Sequence, residues 1–299
     1  MTSGDWKSAV FSRLRCPNCR SDDVAAVSEN CGAASETGGY VCRRCAWEMP
    51  LREGIVLALP SSMNTAVAAN REHYDKIAEK ETNILARRAA TRNHAIKMNQ
   101  IKKALRLTAE RPCAVLELGA GFGAHGVELI RLGQAYCGLD ISEVFLRQAR
   151  HRFPVLRDAA LFAADATRTP FQDEVFDAAF CVATLHHLPE PQNGAQEMIR
   201  VLVKGGRFAF LEPKRFYPTH LIQSLRFPET EVSSMKMHVA SVSDWVRGAG
   251  VSELGVSYCV FTPNGPPVMI PLWEKIDALC NAIKALHVFS VMFCVHGKK

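Results

Sequence analysis

No stretch of about 18 uncharged apolar residues occurs in this sequence, so no membrane-spanning helix is expected. The most apolar part, near the C-terminus, is interrupted by Glu274, Lys275, Asp277 and Lys284. The first apolar run is short and broken, which argues against a secretion leader. Internal repeats and low-complexity tracts are missing, which excludes solenoids and fibrous arrays. Aromatic residues make up 8% and do not alternate with basic ones, so no stacking platform for single-stranded nucleic acid is evident. Proline and glycine are absent between positions 64 and 110, a polar, alanine-rich stretch. That absence predicts one or two helices ending near Pro112.

What is present is ordinary for a globular protein: 299 residues, 48% hydrophobic and 22% charged, enough for one large domain or two unequal ones. The net charge of +6 is unevenly placed. Residues 1–111 hold 18 Lys and Arg against 12 Asp and Glu, and the remainder holds 18 of each. The basic excess fits a solvated helix surface, with a nucleic-acid footprint as the alternative. Eleven cysteines, an odd number, favour metal-bound or buried thiols in a reducing, cytoplasmic setting over disulfides.

Four cysteines form two Cys-x-x-Cys knuckles, "CPNC" at Cys16 and Cys19 and "CRRC" at Cys42 and Cys45. Two paired knuckles supply the four tetrahedral thiolates that one Zn²⁺ requires, with no open position for catalysis. Cys31 has no knuckle partner. Residues 1–60 therefore read as a small metal-stapled domain and residues 61–111 as a helical linker or lid. Residues 112–299 alternate strand-like runs with helical ones. Runs at 114–118, 135–139, 160–164, 176–183 and 207–212 predict a mostly parallel α/β sheet.

The run "VLELGAGFGAHG" places a buried strand ahead of Gly119, Gly121 and Gly123 and a helix behind them. Such a loop lets backbone approach a ligand closely, and alone it also fits a dinucleotide fingerprint. The acids break the tie. Glu117, inside the strand, suits a ligand with an ammonium and a sulfonium rather than a pyrophosphate. Asp140, followed by Ile141, ends the second strand, where a carboxylate can accept from both hydroxyls of a ribose. Asp165, followed by Ala166, ends the third and can accept from an adenine amino group. "VATLHHL" ends the fourth, where a substrate should meet the ligand.

In order, "ELGAGFG", "GLDIS", "AADATRTPF", "DAAFCVATLHHL" and "LVKGGRFAFLEP" resemble the class I S-adenosylmethionine-dependent methyltransferases, over about 112–213 most closely. The resemblance implies a Rossmann-like sheet, mostly parallel with an antiparallel last strand at "VFSVMFCVHGKK", and S-adenosylmethionine as cofactor. It implies cofactor contacts from Glu117, Gly119, Gly121, Gly123, Asp140, Ile141, Asp165 and Ala166. "HYDKIAEKE" looks like the family's helix over the cofactor, which places Tyr74 near the methionine part. His186 and His187 stand where a general base would act, and Glu212 where a residue could touch substrate.

The N-terminal piece resembles zinc ribbons found before some bacterial methyltransferases, including rRNA base methyltransferases. "LEPKRFYPTHLIQSLRF" looks instead like methyltransferases of glycan, lipid and natural-product pathways. Its apolar residues Phe216, Tyr217, Leu221, Ile222, Leu225 and Phe227 suit a small or lipid-linked acceptor. The leading expectation is methyl transfer to a small-molecule, glycan-linked or lipid-linked acceptor, with one structural zinc. An RNA base methyltransferase and an inactive partner-binding module are the alternatives. Acceptor atom and oligomeric state are not encoded in any motif.

Overall fold

The computed structural model describes residues 5–27, 37–80, 91–214, 225, 237–262 and 266–299. Cys31, the expected helix at 81–90 and all of the expected apolar cover except Leu225 lie outside them. Eight helices are described: α1 (Asp5–Phe11), α2 (Thr65–Lys80), α3 (Arg92–Leu105), α4 (Ala124–Arg131), α5 (Glu143–Arg152), α6 (Pro191–Arg200), α7 (Val239–Arg247) and α8 (Ile270–Ala282). The strands are β1 (Val24–Ala26), β2 (Thr37–Cys42), β3 (Glu48–Arg52), β4 (Ile55–Leu57), β5 (Ala114–Leu118), β6 (Ala135–Asp140), β7 (Ala160–Ala163), β8 (Phe176–Val182), β9 (Leu202–Pro213), β10 (Ser252–Cys259) and β11 (Met292–Lys298).

All eleven strands join one sheet, in the order β1-β2-β3-β4-β7-β6-β5-β8-β9-β11-β10. The five from β7 to β9 run parallel, as the alternating pattern predicts. β11 enters antiparallel against β9, with Phe293 opposite Glu212, in the role expected of the last strand. The N-terminal cysteine segment does not stand apart from this sheet. β1 to β4 form an antiparallel meander whose last strand pairs in parallel with β7, Val56 opposite Phe162.

β5 shows why the centre is stable. All five of its residues are buried, and alternate side chains face opposite layers. Leu116 and Leu118 join a core with Phe162, Phe176, Phe208 and Phe210. Val115 joins the other, with Met98, Ile101, Tyr136 and Phe180. Helices start where the sequence supplies caps: Thr91 accepts from the His94 amide ahead of α3, and Ser142 from the Phe145 amide ahead of α5. β9 begins at Leu202, earlier than the run at 207–212 suggests. Phe176 faces Leu202 but Ala178 faces Arg207, so the residues between Leu202 and Arg207, Gly205 and Gly206 among them, form a bulge in β9.

The chain passes from β5 to β6 and β7 on one side, then returns to β8 and β9 on the other. The crevice at that reversal, at the carboxyl ends of the strands, is where open α/β sheets hold ligands.

Candidate active site

A cavity occupies this crevice, walled by the glycine loop, the ends of β6, β7 and β8, and α2. Gly119, Gly121 and Gly123 all have positive φ, at 76°, 50° and 68°. At Gly119 a Cβ would stand 2.3 Å from Thr184 Oγ1, so only glycine lets the β5 and β8 loops close on each other. Gly119 and Gly121 line the cavity; Gly123 caps α4 beside Leu156.

Asp140 lines the cavity with Ile141. Its carboxylate accepts from the Gly121 amide at 2.7 Å and the Ser142 amide at 2.9 Å. Burial pushes its pKa up to about 6, with the nearby charges of Glu117 and Asp75 adding to the rise and the two amides opposing it. Asp165 and Ala166, just beyond the end of the neighbouring strand β7, also line the cavity. One Asp165 oxygen, Oδ1, accepts from both the amide and the hydroxyl of Thr167, at 2.8 Å each. Tyr74 lines the cavity from α2 and meets the His187 ring edge-on, 5.4 Å between centroids.

Glu117 is placed differently from these. It is fully buried, and both oxygens face protein: the Tyr136 hydroxyl donates to Oε2 at 2.5 Å, and His125 Nδ1 lies 2.6 Å from Oε1. It stands behind the cavity wall, on the side of β5 that carries Val115.

The histidine pair divides in the same way. His187 lines the cavity. His186 is buried, with Nδ1 2.7 Å from Glu212 Oε2. The other Glu212 oxygen accepts from the Thr184 and Leu185 amides, each at 2.9 Å. Ala183 takes a positive φ of 53° between β8 and Thr184, a strained turn that aims both amides at this carboxylate. Desolvation raises the Glu212 pKa against these hydrogen bonds.

Several cavity residues carry no motif. Asn70 Nδ2 donates to the His187 carbonyl at 2.5 Å. Asp75 accepts from the Ser142 hydroxyl, and Gln148 Nε2 donates to the Ala78 carbonyl at 2.8 Å. These bonds fasten α2 over the crevice as a lid. Val67 and Phe145 also line the cavity. Helical periodicity alone does not distinguish Asn70 or Phe145 from surface or core positions.

The four knuckle cysteines converge. Their Sγ atoms all lie within 4.8 Å of one another, with Cys16–Cys45 at 3.6 Å and Cys19–Cys42 at 3.5 Å. Four thiolates about 2.3 Å from one Zn²⁺ would stand roughly 3.8 Å apart. The set is therefore compatible with zinc in type, number and spacing. Burial pushes the Cys16 thiol up to about 12; metal ions bind cysteine in its deprotonated form.

Crevice, glycine loop and strand-end acids together define a class I methyltransferase domain. Residues 116–210 match the family model described as a methyltransferase domain. A demethylmenaquinone methyltransferase of Clavibacter sepedonicus is 36% identical over 98 residues, 33% of this chain and 40% of that protein. Sterol methyltransferase-like 2 of Botryococcus braunii is 27% identical over 189 residues, 56% of this chain and 45% of that protein. The matched stretch spans less than half the length of each. The phosphoethanolamine N-methyltransferase 2 of Haemonchus contortus, solved with S-adenosyl-L-methionine, shares the fold. Its TM-score is 0.56 at 14% identity, covering 84% of this chain and 62% of that one. Residues 116–210 are thus a methyltransferase domain on a sheet that resembles those of class I methyltransferases, and a four-cysteine segment joins the same sheet ahead of it. Among the described residues, no helix is long and apolar enough to cross a membrane.

Proposed function

We propose that this protein transfers a methyl group from S-adenosylmethionine to a small, largely apolar acceptor, lipid-linked or glycan-linked acceptors included. The observation that carries the cofactor is the cavity itself, with Asp140 and Asp165 both in its lining at adjacent strand ends. Asp140 would accept from the ribose hydroxyls, Asp165 from the adenine amino group, and Tyr74 would cover the methionine part. The bound cofactor would supply an electrophilic methyl group. The protein's part is to align the acceptor for in-line attack and to exclude water, which α2 does by lying over the crevice. Glu117 acts through Tyr136 and His125, fixing the strand beneath the glycine loop.

The acceptor class rests on a second cavity, lined by Lys214 after β9 and by residues of α7, β10 and β11. Met237, Val239, Leu254, Tyr258, Phe261 and Phe293 give it an apolar wall, with Lys214 and Arg247 as basic positions. Pockets of this make-up take apolar ligands anchored by a few polar groups. The two curated relatives above are named for menaquinone and sterol methylation, which supports the same class. Of the two histidines, His187 faces the cavity and is our candidate base for an acceptor that must lose a proton. His186 would position it.

Incubating the purified protein with methyl-labelled cofactor and separate lipid, polar-metabolite and RNA fractions tests the reading. Label should enter the lipid or small-molecule fraction. Label confined to RNA, with binding that weakens steeply with salt, would replace it with the RNA reading. Failure to bind S-adenosylmethionine by calorimetry would leave a partner-binding module.

A further inference from the structure

The cysteine knuckle and the cofactor cavity are tied together through one short segment. Asn18 sits between Cys16 and Cys19. Its backbone carbonyl accepts from Arg168 Nη2 at 2.8 Å, and its side-chain oxygen accepts from the Ser61 hydroxyl at 2.6 Å. Arg168 follows Asp165 by three residues, and its amide donates to the Asp165 carbonyl at 3.0 Å. Ser61 lies four residues before α2, the helix that covers the cavity. One knuckle residue therefore grips both walls of the cofactor site.

Neighbouring contacts repeat the pattern. Arg20 Nη1 donates to the Thr169 carbonyl at 2.9 Å, and the Arg15 amide to the Pro170 carbonyl at 2.9 Å. Glu197 of α6 accepts from the amide and hydroxyl of Thr169 and also lies 3.4 Å from Arg20 Nη2. The segment 165–172 is held between α6 and the knuckle, with Asp165 at its free end. The first knuckle turn is closed by backbone bonds, Cys16 N to the Ser21 carbonyl at 2.8 Å and Arg20 N to the Cys16 carbonyl at 3.0 Å, and a metal held by the four thiolates would tie it to the second turn.

We propose that the metal-filled knuckle is a brace for the cofactor cavity, with Asn18, Arg20 and Arg168 as positioning residues that hold Asp165 for adenine and α2 for the lid. The inference rests on the cofactor reading given above. It assigns the cysteine segment a role in cofactor selectivity rather than in stability alone.

The test compares S-adenosylhomocysteine with S-inosylhomocysteine, which replaces the amino donor by a carbonyl, in calorimetry with the full chain. Zinc-loaded wild type should prefer the adenosyl compound. Arg168→Ala and Arg20→Ala should lower affinity for it about tenfold, the scale of one charge-assisted hydrogen bond. They should also bring the adenosyl-to-inosyl ratio toward one, at unchanged zinc content. A partial return of the ratio in Arg168→Lys supports positioning. Wild type stripped of zinc by a chelator should lose the ratio too, and amides in 165–172 should exchange faster with deuterium. Folded, zinc-loaded variants that keep the wild-type ratio would overturn the brace. So would stripped protein whose 165–172 amides remain protected, which decides the matter even where a variant does not fold. Wild type that binds neither compound overturns the cofactor reading instead, and the exchange comparison then judges the brace separately.

Discussion

His186 Nδ1 and Glu212 Oε2 lie 2.7 Å apart in the interior, joining the loop after β8 to the end of β9. The same carboxylate receives two backbone amides from Thr184 and Leu185. Glu212, considered from the sequence as a substrate contact, is thereby fully occupied with shaping the loop that presents His187. Glu212→Ala would take this acceptor from the His186 ring, the Thr184 and Leu185 amides and the Cys181 thiol. A destabilisation of about 3–5 kcal/mol is expected, because each interior donor left without its acceptor costs roughly 1–3 kcal/mol. Glu212→Gln, which keeps an acceptor oxygen, should cost less. Chemical denaturation of both variants checks the order, and equal losses would contradict this account.

His187→Ala should leave cofactor affinity near wild type and lower kcat about 100-fold if the acceptor loses a proton. His186→Ala should act mainly on stability. Measuring kcat and the cofactor dissociation constant for both variants separates the roles. A drop in kcat confined to His186→Ala would reverse the assignment.

Asp140→Ala should weaken cofactor binding at least about tenfold, because the ribose hydroxyls lose their acceptor. The pH dependence has a definite sign. The carboxylate, not the neutral acid, accepts both hydroxyls, so binding favours loss of the proton. With the free carboxyl raised to about 6, affinity should rise with pH through that value and level off above it. Below it the fall approaches about tenfold per pH unit. Stability of the cofactor-free protein moves oppositely. Between the ordinary 3.8 and about 6 the folded state holds the proton more tightly, so this group's contribution declines as pH rises. Calorimetric titrations of S-adenosylhomocysteine from pH 5 to 8 test the first trend, and Asp140→Asn should flatten it.

Gly119→Ala brings a methyl to within 2.3 Å of Thr184 Oγ1 at a φ of 76°. We expect loss of cofactor binding and a stability loss of roughly 2–4 kcal/mol from overpacking and left-handed strain together. Gly121→Ala meets nothing within 4 Å, so only its φ of 50° is strained and the loss should be about 1 kcal/mol. Thr184→Ala in the Gly119→Ala background should restore part of the stability. An additive double mutant would show that the clash is not the cause.

Cys42→Ser should reduce bound zinc from one per chain to near none and destabilise the β1–β3 meander. Metal analysis of the purified variant is the measurement. Retention of one zinc would mean that the ligand set differs from Cys16, Cys19, Cys42 and Cys45.

Much of this protein was legible in its sequence. Local spacing determined the paired knuckles, the glycine loop and the acids at strand ends, because turns, thiolate pairs and strand termini are built from neighbours along the chain. The alternating pattern likewise indicated the parallel strands at the centre of the sheet, and the family resemblance implied the antiparallel last strand. Tertiary structure alone decided what those pieces touch. Periodicity does not say that β4 pairs with β7, which makes the cysteine segment continuous with the sheet. Nor does it say that Glu117 turns to Tyr136 and His125, or that adjacent His186 and His187 face a buried carboxylate and a cavity respectively. Asn18 and Arg168 are 150 residues apart in sequence, and their hydrogen bond exists only because that sheet brings the knuckle against the loop after β7. Contacts of this kind are fixed by the packing of whole layers, which no local stretch of residues encodes.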